Sequence, residues 1–296
     1  MIDGAELTLE LGARIAPLLR ARIAGTAERT PAELSFANLW LFRRAHRWRF
    51  HDGAWPCLSG VHYDGQRHAL PLFDIRHVPQ RVLHELLAQH GCLLPLTEHE
   101  VASLSPKCFA LASNRDDADY LYPAAQFRQY PGRALRKKRN LMAQLQSAHA
   151  LTVHPYAPHL HAEALQVLEG WMHDKRKQPG ASDDAACRDA LALASQLGLE
   201  GYLYRTDGEA AGFVLAEQLQ PGVWVVRFAK GLVRHKGIFQ FMFHHFACRA
   251  DRQVDWLNFE QDLGLPNFRH TKLSYRPSAM LPKWRLLPKQ APGASR

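Results

Sequence analysis

Apolar residues in the first third of the chain follow helical spacing and then strand spacing. Between residues 7 and 23 they recur every three or four positions, which predicts an amphipathic helix. A short second helix is expected after Ser35, because serine is favoured at helix N-caps. Strands are expected at residues 55–63 and 68–73, joined by the hairpin dipeptide Asp64-Gly65. This part is therefore predicted to combine helices with an antiparallel hairpin.

The pattern continues with a helix at residues 78–90, which Gly91 is suited to terminate. Thr97 and Glu100 have the spacing of a capping box, in which each side chain binds the other's backbone N–H, so a short helix is expected there. Further strands are predicted at residues 107–112 and 118–122.

The second half has a clearer order of elements. The predicted order is strand 151–154, helix 159–173, helix 185–197, strands 201–205 and 212–217 around Asp207-Gly208, strand 223–229, helix 237–249, strand 254–259, short helix 266–271 and strand 280–287.

A basic, helix-like stretch separates the two halves. We therefore expect an N-terminal unit at 1–130 with leading helices, a basic helical connector at 131–149, and a C-terminal unit at 150–296. The order of the second half is that of the GNAT acyltransferase fold, and the first half has a similar hairpin between helices. The expected fold class is α/β (α+β), with two tandem GNAT-like units of mixed, mostly antiparallel sheets flanked by helices. Strands 212–217 and 223–229 are expected to splay apart.

Composition indicates a globular chain with an anionic partner. The 296 residues are 47% hydrophobic and 22% charged, and the formal net charge of +9 suggests nucleic acid, an acidic lipid surface or a phosphate-rich cofactor. A basic surface that only maintains solubility is the alternative. The five scattered cysteines form no Cys-x-x-Cys pair, which indicates reduced thiols. No apolar run approaches the roughly 20 residues of a membrane helix, so we expect a cytoplasmic protein without stable membrane insertion.

The turn after strand 223–229 is a candidate anion site. A strand that leads through a basic, glycine-containing turn into a helix presents backbone N–H groups and the positive end of the helix dipole. The proposed cofactor-binding residues are Arg234, His235, Lys236 and Gly237. Arg234-x-x-Gly237 resembles the first half of the GNAT pyrophosphate motif, but Phe239 stands where that motif has Gly or Ala. An ordinary strand–helix junction is the alternative, and a Gly237→Asp change is expected to weaken anion binding with little loss of stability.

Several phrases resemble the bacterial family related to the C-terminal domain of phosphatidylglycerol lysyltransferase, over residues 31–287. They are Ser35-Phe36-Ala37-Asn38-Leu39-Trp40, Asp116-Asp117-Ala118-Asp119-Tyr120-Leu121-Tyr122, Lys137-Lys138-Arg139-Asn140, Asn258-Phe259-Glu260-Gln261-Asp262-Leu263-Gly264 and Lys272-Leu273-Ser274-Tyr275-Arg276-Pro277.

The resemblance implies a tandem-GNAT transferase that passes an amino acid from charged tRNA to an amine or hydroxyl. The co-substrate would be aminoacyl-tRNA or acyl-CoA, with no certain bound cofactor, and Phe239 favours a donor without a full-length pantetheine arm. The acceptor would be a small molecule, a lipid headgroup or a peptide. The alternative is a non-catalytic protein that holds a polyanion, such as tRNA or an acidic peptide, on a GNAT scaffold.

A dense basic cluster lies in the connector. Its members, the predicted anion- or nucleic-acid-binding residues, are Arg133, Arg136, Lys137, Lys138 and Arg139. Helical geometry places Arg133, Arg136, Lys137 and Asn140 on one stripe, which suits a phosphate backbone. A solvated helix face is the alternative.

Acyl transfer needs a base for the acceptor proton and an acid for the leaving group. Glu217 and Glu260 lie near the ends of predicted central strands and are the candidate bases; Asp262 follows them, and Tyr275 is the candidate acid. Structural alternatives are that Asp262 caps the turn at Gly264, that Glu260 pairs with Arg269 or Lys272, and that Tyr275 is a packing residue.

The histidine pairs predict no metal site. His244-His245 and His159-x-His161 lack the i, i+4 spacing and the third ligand that a zinc site needs.

Overall fold

The computed structural model of the chain describes residues 4–24, 29–178 and 183–289. Its helices are α1 (Gly12–Ile23), α2 (Phe36–Leu41), α3 (Arg43–His46), α4 (Gln80–His90), α5 (Glu98–Ala102), α6 (Ala124–Gln129), α7 (Arg136–Ala148), α8 (His161–Asp174), α9 (Asp184–Ala192), α10 (Ile238–Cys248) and α11 (Pro266–Leu273). Its strands are β1 (Ala5–Glu6), β2 (Arg49–His51), β3 (Cys57–Val61), β4 (Arg67–Pro71), β5 (Leu93–Leu96), β6 (Phe109–Ser113), β7 (Asp119–Pro123), β8 (Leu151–Pro155), β9 (Glu200–Thr206), β10 (Glu209–Gln220), β11 (Val223–Gly231), β12 (Trp256–Asn258), β13 (Ala279–Leu281) and β14 (Trp284–Pro288).

Three helix ends predicted from the sequence are confirmed. The Ser35 side chain accepts a hydrogen bond from the N–H of Asn38 at 3.0 Å and begins α2. Thr97 and Glu100 form both bonds of the capping box that begins α5. Gly91 ends α4 with a φ of 80°.

The chain folds into two compact units that do not follow the predicted division at 130 and 150. Unit 1 comprises the described residues up to 119, together with 261–269 and those from 280 onward. Unit 2 comprises 120–260 and 270–279, so the basic helix α7 belongs to it. The difference arises because each sheet contains a strand from the other half of the sequence.

Unit 1 has a mixed sheet with the order β1-β2-β3-β4-β5-β14-β6. The late strand β14 is antiparallel to both of its neighbours, β5 and β6. The unit contains two clusters of buried hydrophobic side chains, one that includes residues of α4 and one that includes residues of α1. The segment 280–287, predicted as one strand, belongs to two strands in different sheets, β13 and β14. Pro282 lies between them and lacks the N–H that a continuous strand would need for its hydrogen bonds.

Ion pairs fix the C-terminal segment within unit 1. Asp117 binds Arg285 of β14 at 3.0 Å, and the two side chains are only 2% and 9% exposed. Lys283, directly before β14, lies 2.7 Å from the buried Asp119. A strand from the end of the chain is thus held by carboxylates that surround the start of β7.

Unit 2 has a sheet with the order β13-β7-β12-β11-β10-β9-β8. Strands β8 to β11 pair antiparallel, whereas β11 and β12 are parallel. The predicted splay between 212–217 and 223–229 is wrong, because β10 and β11 pair from Gly212↔Gly231 to Gln220↔Val223. The pairing that stops early lies one strand further along: β11 and β12 pair over three residues, up to Val225↔Asn258, and β11 continues beyond that last pair to Gly231. We call the region beyond the last pair the β11–β12 opening. Among the described residues, no helix has the length and hydrophobicity to span a membrane.

Three histidines of unit 1 gather in its interior. The ring centroids of His46, His62 and His68 lie 5.7–6.3 Å apart. Burial, with the neighbouring imidazoles, lowers the pKa of His68 to about 3. Burial also lowers the pKa of His46 and of His62. The folded protein therefore binds these protons less readily than the unfolded chain does.

We expect acid to destabilise the protein through this cluster. In the unfolded chain His68 binds a proton below the ordinary histidine pKa of 6.5, whereas in the folded protein it does so only near pH 3. The contribution of His68 to stability is therefore complete above pH 6.5 and falls as the pH drops. Urea unfolding between pH 4.5 and 7.5 should show a His68→Asn variant losing less stability on acidification than the parent. The same substitution at the exposed His159 is the control; equal slopes for His68→Asn and the parent would contradict the prediction.

Candidate functional site

The opening between β11 and β12 contains a buried arginine. β11 has an irregularity where Leu215 pairs with Phe228 but Ala216 pairs with Val226, which leaves Arg227 as the extra residue of a β-bulge. Arg227 follows Val225, the last β11 residue paired with β12. Because crevices beyond the carboxyl ends of parallel strands commonly bind ligands, this is a suitable place for a site.

Two glutamates hold Arg227 in this opening. Glu217 of β10 accepts from Nε at 3.1 Å and from Nη2 at 2.8 Å, and Glu260 accepts from Nη1. The arginine side chain is 0% exposed, whereas those of Glu217 and Glu260 are 15% and 18% exposed. Burial opposes the charged guanidinium, but the two carboxylates outweigh it and raise the pKa of Arg227. The cluster is therefore a fixed ionic group with partly accessible carboxylates.

The backbone at Glu260 is held in an unusual conformation. Its φ of 56° is in the left-handed region, which is uncommon for a residue with a side chain. Its N–H donates to Asn258 Oδ1 at 2.7 Å, and its carbonyl accepts from the N–H of Tyr120 and from Lys272 Nζ, each at 3.2 Å. Strained residues persist only where their surroundings fix them, and they cluster at functional sites.

These contacts revise the predicted carboxylate group. Glu217 and Glu260 come together as expected, but through Arg227, and the side chain of Glu260 pairs with Arg227 instead of Arg269 or Lys272. Asp262 belongs to unit 1, where it accepts from the N–H of Gly264 at 2.9 Å and pairs with Arg115 and Arg269. Its structural alternative, the turn cap, is confirmed.

Arg227 is the site residue that the sequence analysis missed. The available signal was an arginine inside Val223-Trp224-Val225-Val226-Arg227-Phe228, an otherwise apolar run predicted to be a central strand. A charged residue is seldom buried without a partner, so that position calls for nearby carboxylates.

Tyr275 is packed in an aromatic cluster. It is 3% exposed, its hydroxyl accepts from Gln240 at 2.8 Å, and its ring lies 5.6 Å from both Phe127 and Phe243. Burial raises the pKa of Tyr275. This environment favours the packing alternative over the predicted role as an acid.

Several backbone N–H groups in and next to the turn 232–237 already have hydrogen-bond acceptors within the protein. The N–H of His235 donates to Leu232 and that of Ile238 to His235, while the N–H of Val233 donates to the Asp174 carboxylate at 2.9 Å. Gly237 has a φ of 100°, and a Cβ there would lie 2.2 Å from the Leu141 carbonyl oxygen of α7. The glycine is therefore required for contact between this turn and α7, which corrects the expectation that Gly237→Asp would leave stability almost unchanged.

The other residues of the turn differ in exposure. The side chain of Arg234 is 60% exposed and 3.8 Å from that of Glu209. His235 is 9% exposed and hydrogen-bonds the Thr206 hydroxyl, and Lys236 is exposed. Burial and the charge of Arg234 lower the pKa of His235. Of the predicted anion ligands in the turn, Arg234 and Lys236 thus present their charges to solvent.

A surface hollow of about 450 Å³ adjoins Arg234. Its walls come from α8, from the β9–β10 turn and from Leu232, and include Glu163 and Glu209. The Arg227 cluster is elsewhere on β11, since Gly231 at the strand end is about 13 Å along the strand from Arg227. The two candidate sites therefore lie at different positions along β11. The ring of Phe239 is beside Gly231, 3.4 Å from where a Cβ would be.

The basic cluster of α7 divides into exposed and anchored side chains. Arg133, Arg136, Lys137 and Asn140 are exposed, but Arg133 lies in the turn before α7, so only the other three belong to the helix. Lys138 instead donates to Ser274 at 2.8 Å and lies 4.0 Å from the centre of the Tyr275 ring, and Arg139 donates to the Tyr130 carbonyl at 2.6 Å. Burial, together with the charge of Lys137, lowers the pKa of Lys138. Lys138 and Arg139 therefore fix the helix that presents the stripe.

A family model described as phosphatidylglycerol lysyltransferase, C-terminal, matches residues 25–287. No curated protein matches this sequence.

Solved structures share the fold across nearly the whole chain. A conserved protein of unknown function from Bacteroides thetaiotaomicron is 23% identical with a TM-score of 0.80, over 98% of this chain and 100% of its own. The L-PGS from Bacillus licheniformis is 13% identical with a TM-score of 0.63, over 98% and 95%. A tandem GNAT protein from the clavulanic acid biosynthesis pathway is 12% identical with a TM-score of 0.50, over 97% and 98%. The predicted tandem GNAT-like fold is confirmed.

Replacing Gly237 by Ala is expected to destabilise the protein strongly. The new Cβ would meet the Leu141 backbone and would also require a left-handed φ. Gly208→Ala is the matched control, because Gly208 has a φ of 86° but open space around it. The control should cost roughly 1–2 kcal/mol from the backbone conformation, and Gly237→Ala roughly 1–3 kcal/mol more from overpacking. Thermal or urea unfolding measures both; equal destabilisation would show that packing against α7 is unimportant.

Proposed function

This chain belongs to the phosphatidylglycerol lysyltransferase C-terminal family, and from this premise we propose that it transfers an aminoacyl group from aminoacyl-tRNA to an amine or hydroxyl acceptor. The observation that carries the proposal is the cluster of Arg227, Glu217 and Glu260 beyond the last β11–β12 pair. The acceptor would be a small molecule, a lipid headgroup or a peptide. Since tRNA is charged in the cytoplasm, the proposed reaction is cytoplasmic.

In this proposal Glu260 is the general base. The acceptor nitrogen or oxygen forms a bond to the ester carbonyl carbon of the donor while Glu260 takes the acceptor's proton. The bond from that carbon to the tRNA ribose oxygen then breaks, and Glu260 returns the proton to this leaving oxygen. Glu217 binds two nitrogens of Arg227, which fixes the guanidinium, and Arg227 in turn orients Glu260. The backbone contacts to Asn258, Tyr120 and Lys272 support this role, because they hold Glu260 at the edge of the opening.

The donor is proposed to be tRNA because of the exposed stripe on α7. Arg133, in the turn before α7, and Arg136 and Lys137, at the start of α7, present three exposed cations close together in the chain, which suits contact with a phosphate backbone. Lys138 and Arg139 keep that helix in place through Ser274 and Tyr130. Acyl-CoA is the less favoured donor, since the turn at Gly237 packs against α7 and Phe239 covers the adjoining strand end.

One observation favours the alternative function, a non-catalytic protein that binds a polyanion. The carboxylates at Arg227 are about 13 Å along β11 from Gly231, the strand end that precedes the turn at Gly237. Incubation with radiolabelled aminoacyl-tRNA and candidate amines, beside matched acyl-CoA reactions, distinguishes the functions. Transfer from tRNA supports the proposal, transfer from acyl-CoA alone refutes the donor, and tRNA binding without any transfer supports the alternative.

Reversing the charges of the stripe should weaken tRNA binding. The double variant Arg136→Glu, Lys137→Glu removes two exposed cations, so the slope of log affinity against log salt should fall by roughly one for each phosphate that the variant no longer binds. Filter binding at several salt concentrations measures it. The double variant Arg20→Glu, Arg81→Glu is the control, because it makes the same charge change at exposed residues of unit 1. If both variants lose affinity equally, only net charge matters and the stripe is not a site.

Removing the proposed base should lower the transfer rate without loss of tRNA binding. Glu260→Gln keeps the shape of the side chain but cannot accept the proton, so kcat should fall on the order of 10²- to 10⁴-fold. Glu217→Gln is the matched control, since it contacts the same arginine but is assigned only a positioning role. Steady-state kinetics with aminoacyl-tRNA measures both. A larger loss of kcat for Glu217→Gln than for Glu260→Gln would reverse the assignment.

A further inference from the structure

Unit 1 buries a lysine between two carboxylates. Lys283, Asp119 and Glu33 have side chains that are 2%, 0% and 18% exposed. The Lys283 ammonium lies 2.7 Å from Asp119, donates to Glu33 Oε1, and donates to the amide oxygen of Gln261 at 2.8 Å. The ammonium thus donates hydrogen bonds to Glu33 and Gln261 and forms an ion pair with Asp119.

The two carboxylates are not equivalent. Asp119 also accepts from the N–H of Ala32 at 2.8 Å. The second oxygen of Glu33, Oε2, is buried and has no hydrogen-bond partner among the residues that the structure describes. A buried ionised carboxylate is costly when an oxygen is unpaired and its cation is shared, whereas a proton on that oxygen removes the charge. The geometry therefore favours a protonated Glu33.

Lys283 lies directly before the strand that joins two other strands of the unit 1 sheet. Lys283 directly precedes β14, the strand that completes the unit 1 sheet between β5 and β6. With Glu33 protonated, Lys283 and Asp119 form one ion pair. With Glu33 ionised, two carboxylates share the same ammonium. We propose that Glu33 is a proton-operated switch on this clamp, which holds the C-terminal strand firmly when Glu33 carries a proton and loosens it when the proton is lost.

The titration of Glu33 places the switch near neutral pH. Burial raises the pKa of Glu33 from 4.5 to about 7, Lys283 opposes the increase and Asp119 adds to it. Between these values the folded protein holds a proton that the unfolded chain has lost. The stabilisation is therefore complete below pH 4.5 and disappears as the pH rises to 7. This direction is opposite to that of the buried histidines, among which His46 also responds to the charge of Lys283.

The first test compares the wild type with Glu33→Gln, which imitates the protonated side chain. Urea unfolding at pH 4.5, 5.5, 6.5 and 8 cancels the histidine contributions, because both proteins share them. The folded-to-unfolded ratio of the wild type relative to the variant should fall by up to about tenfold per pH unit between pH 4.5 and 7, and then level off. Parallel profiles would overturn the proposal.

The second test uses Asp119→Asn, which removes the competing carboxylate. Without the charge of Asp119 the pKa of Glu33 should be lower. The pH range over which stability declines should therefore move downward, whatever the absolute stability of the variant. Hydrogen-exchange protection factors in β14 supply the structural measurement, since they correct for intrinsic exchange rates. Wild-type protection in β14 should fall between pH 4.5 and 7 and then level off relative to that in Glu33→Gln. An unmoved decline in Asp119→Asn, or equal loss of protection in both proteins, would refute the switch.

Discussion

The carboxylates of a single short segment hold the C-terminal part of the chain in unit 1. They form the ion pairs Asp116–Arg269, Asp117–Arg285 and Asp119–Lys283, and Asp262 adds a pair with Arg115. Several of these side chains are almost fully buried, and breaking a buried pair typically costs about 3–5 kcal/mol because it leaves an unpaired charge. Since β14 lies between β5 and β6, both ladders of that sheet edge depend on these contacts. Unit 1 is therefore complete only when the end of the chain has returned to it.

This dependence on distant residues explains what the sequence could predict. Ser35, Thr97 with Glu100, and Gly91 act on backbone within a few residues, so their spacing alone predicted the helix ends. The position of β14 depends instead on charges that are more than 150 residues apart in the chain. An order of elements cannot reveal such pairing. The second half therefore resembled one continuous unit, although its last strand belongs to unit 1 and the sheet of unit 2 includes β7.

The same distinction between local and distant contacts applies to the candidate sites. Glycine at a helix start indicates a positive φ, and Gly237 has one. The sequence cannot distinguish a glycine that admits a ligand from one that admits another helix, and here the close neighbour is the Leu141 carbonyl. Arg136, Lys137 and Asn140 are exposed on α7, whereas Arg133 of the predicted stripe precedes the helix. The roles of Lys138 and Arg139 as anchors depend on Ser274, Tyr275 and Tyr130, which no spacing within α7 could identify.

The chemistry of the β11–β12 opening is relevant to the donor. In GNAT enzymes the pantetheine arm runs along the strand next to the pyrophosphate turn, and such an arm is uncharged. In this protein Arg227 lies beyond the last β11–β12 pair and is bound by Glu217 and Glu260. Displacing a buried guanidinium from two carboxylates is expensive unless the incoming group replaces those interactions. An aminoacyl ester carries an ammonium group that can bind such carboxylates, whereas a pantetheine arm offers them only neutral groups; this difference is an argument for the proposed aminoacyl donor.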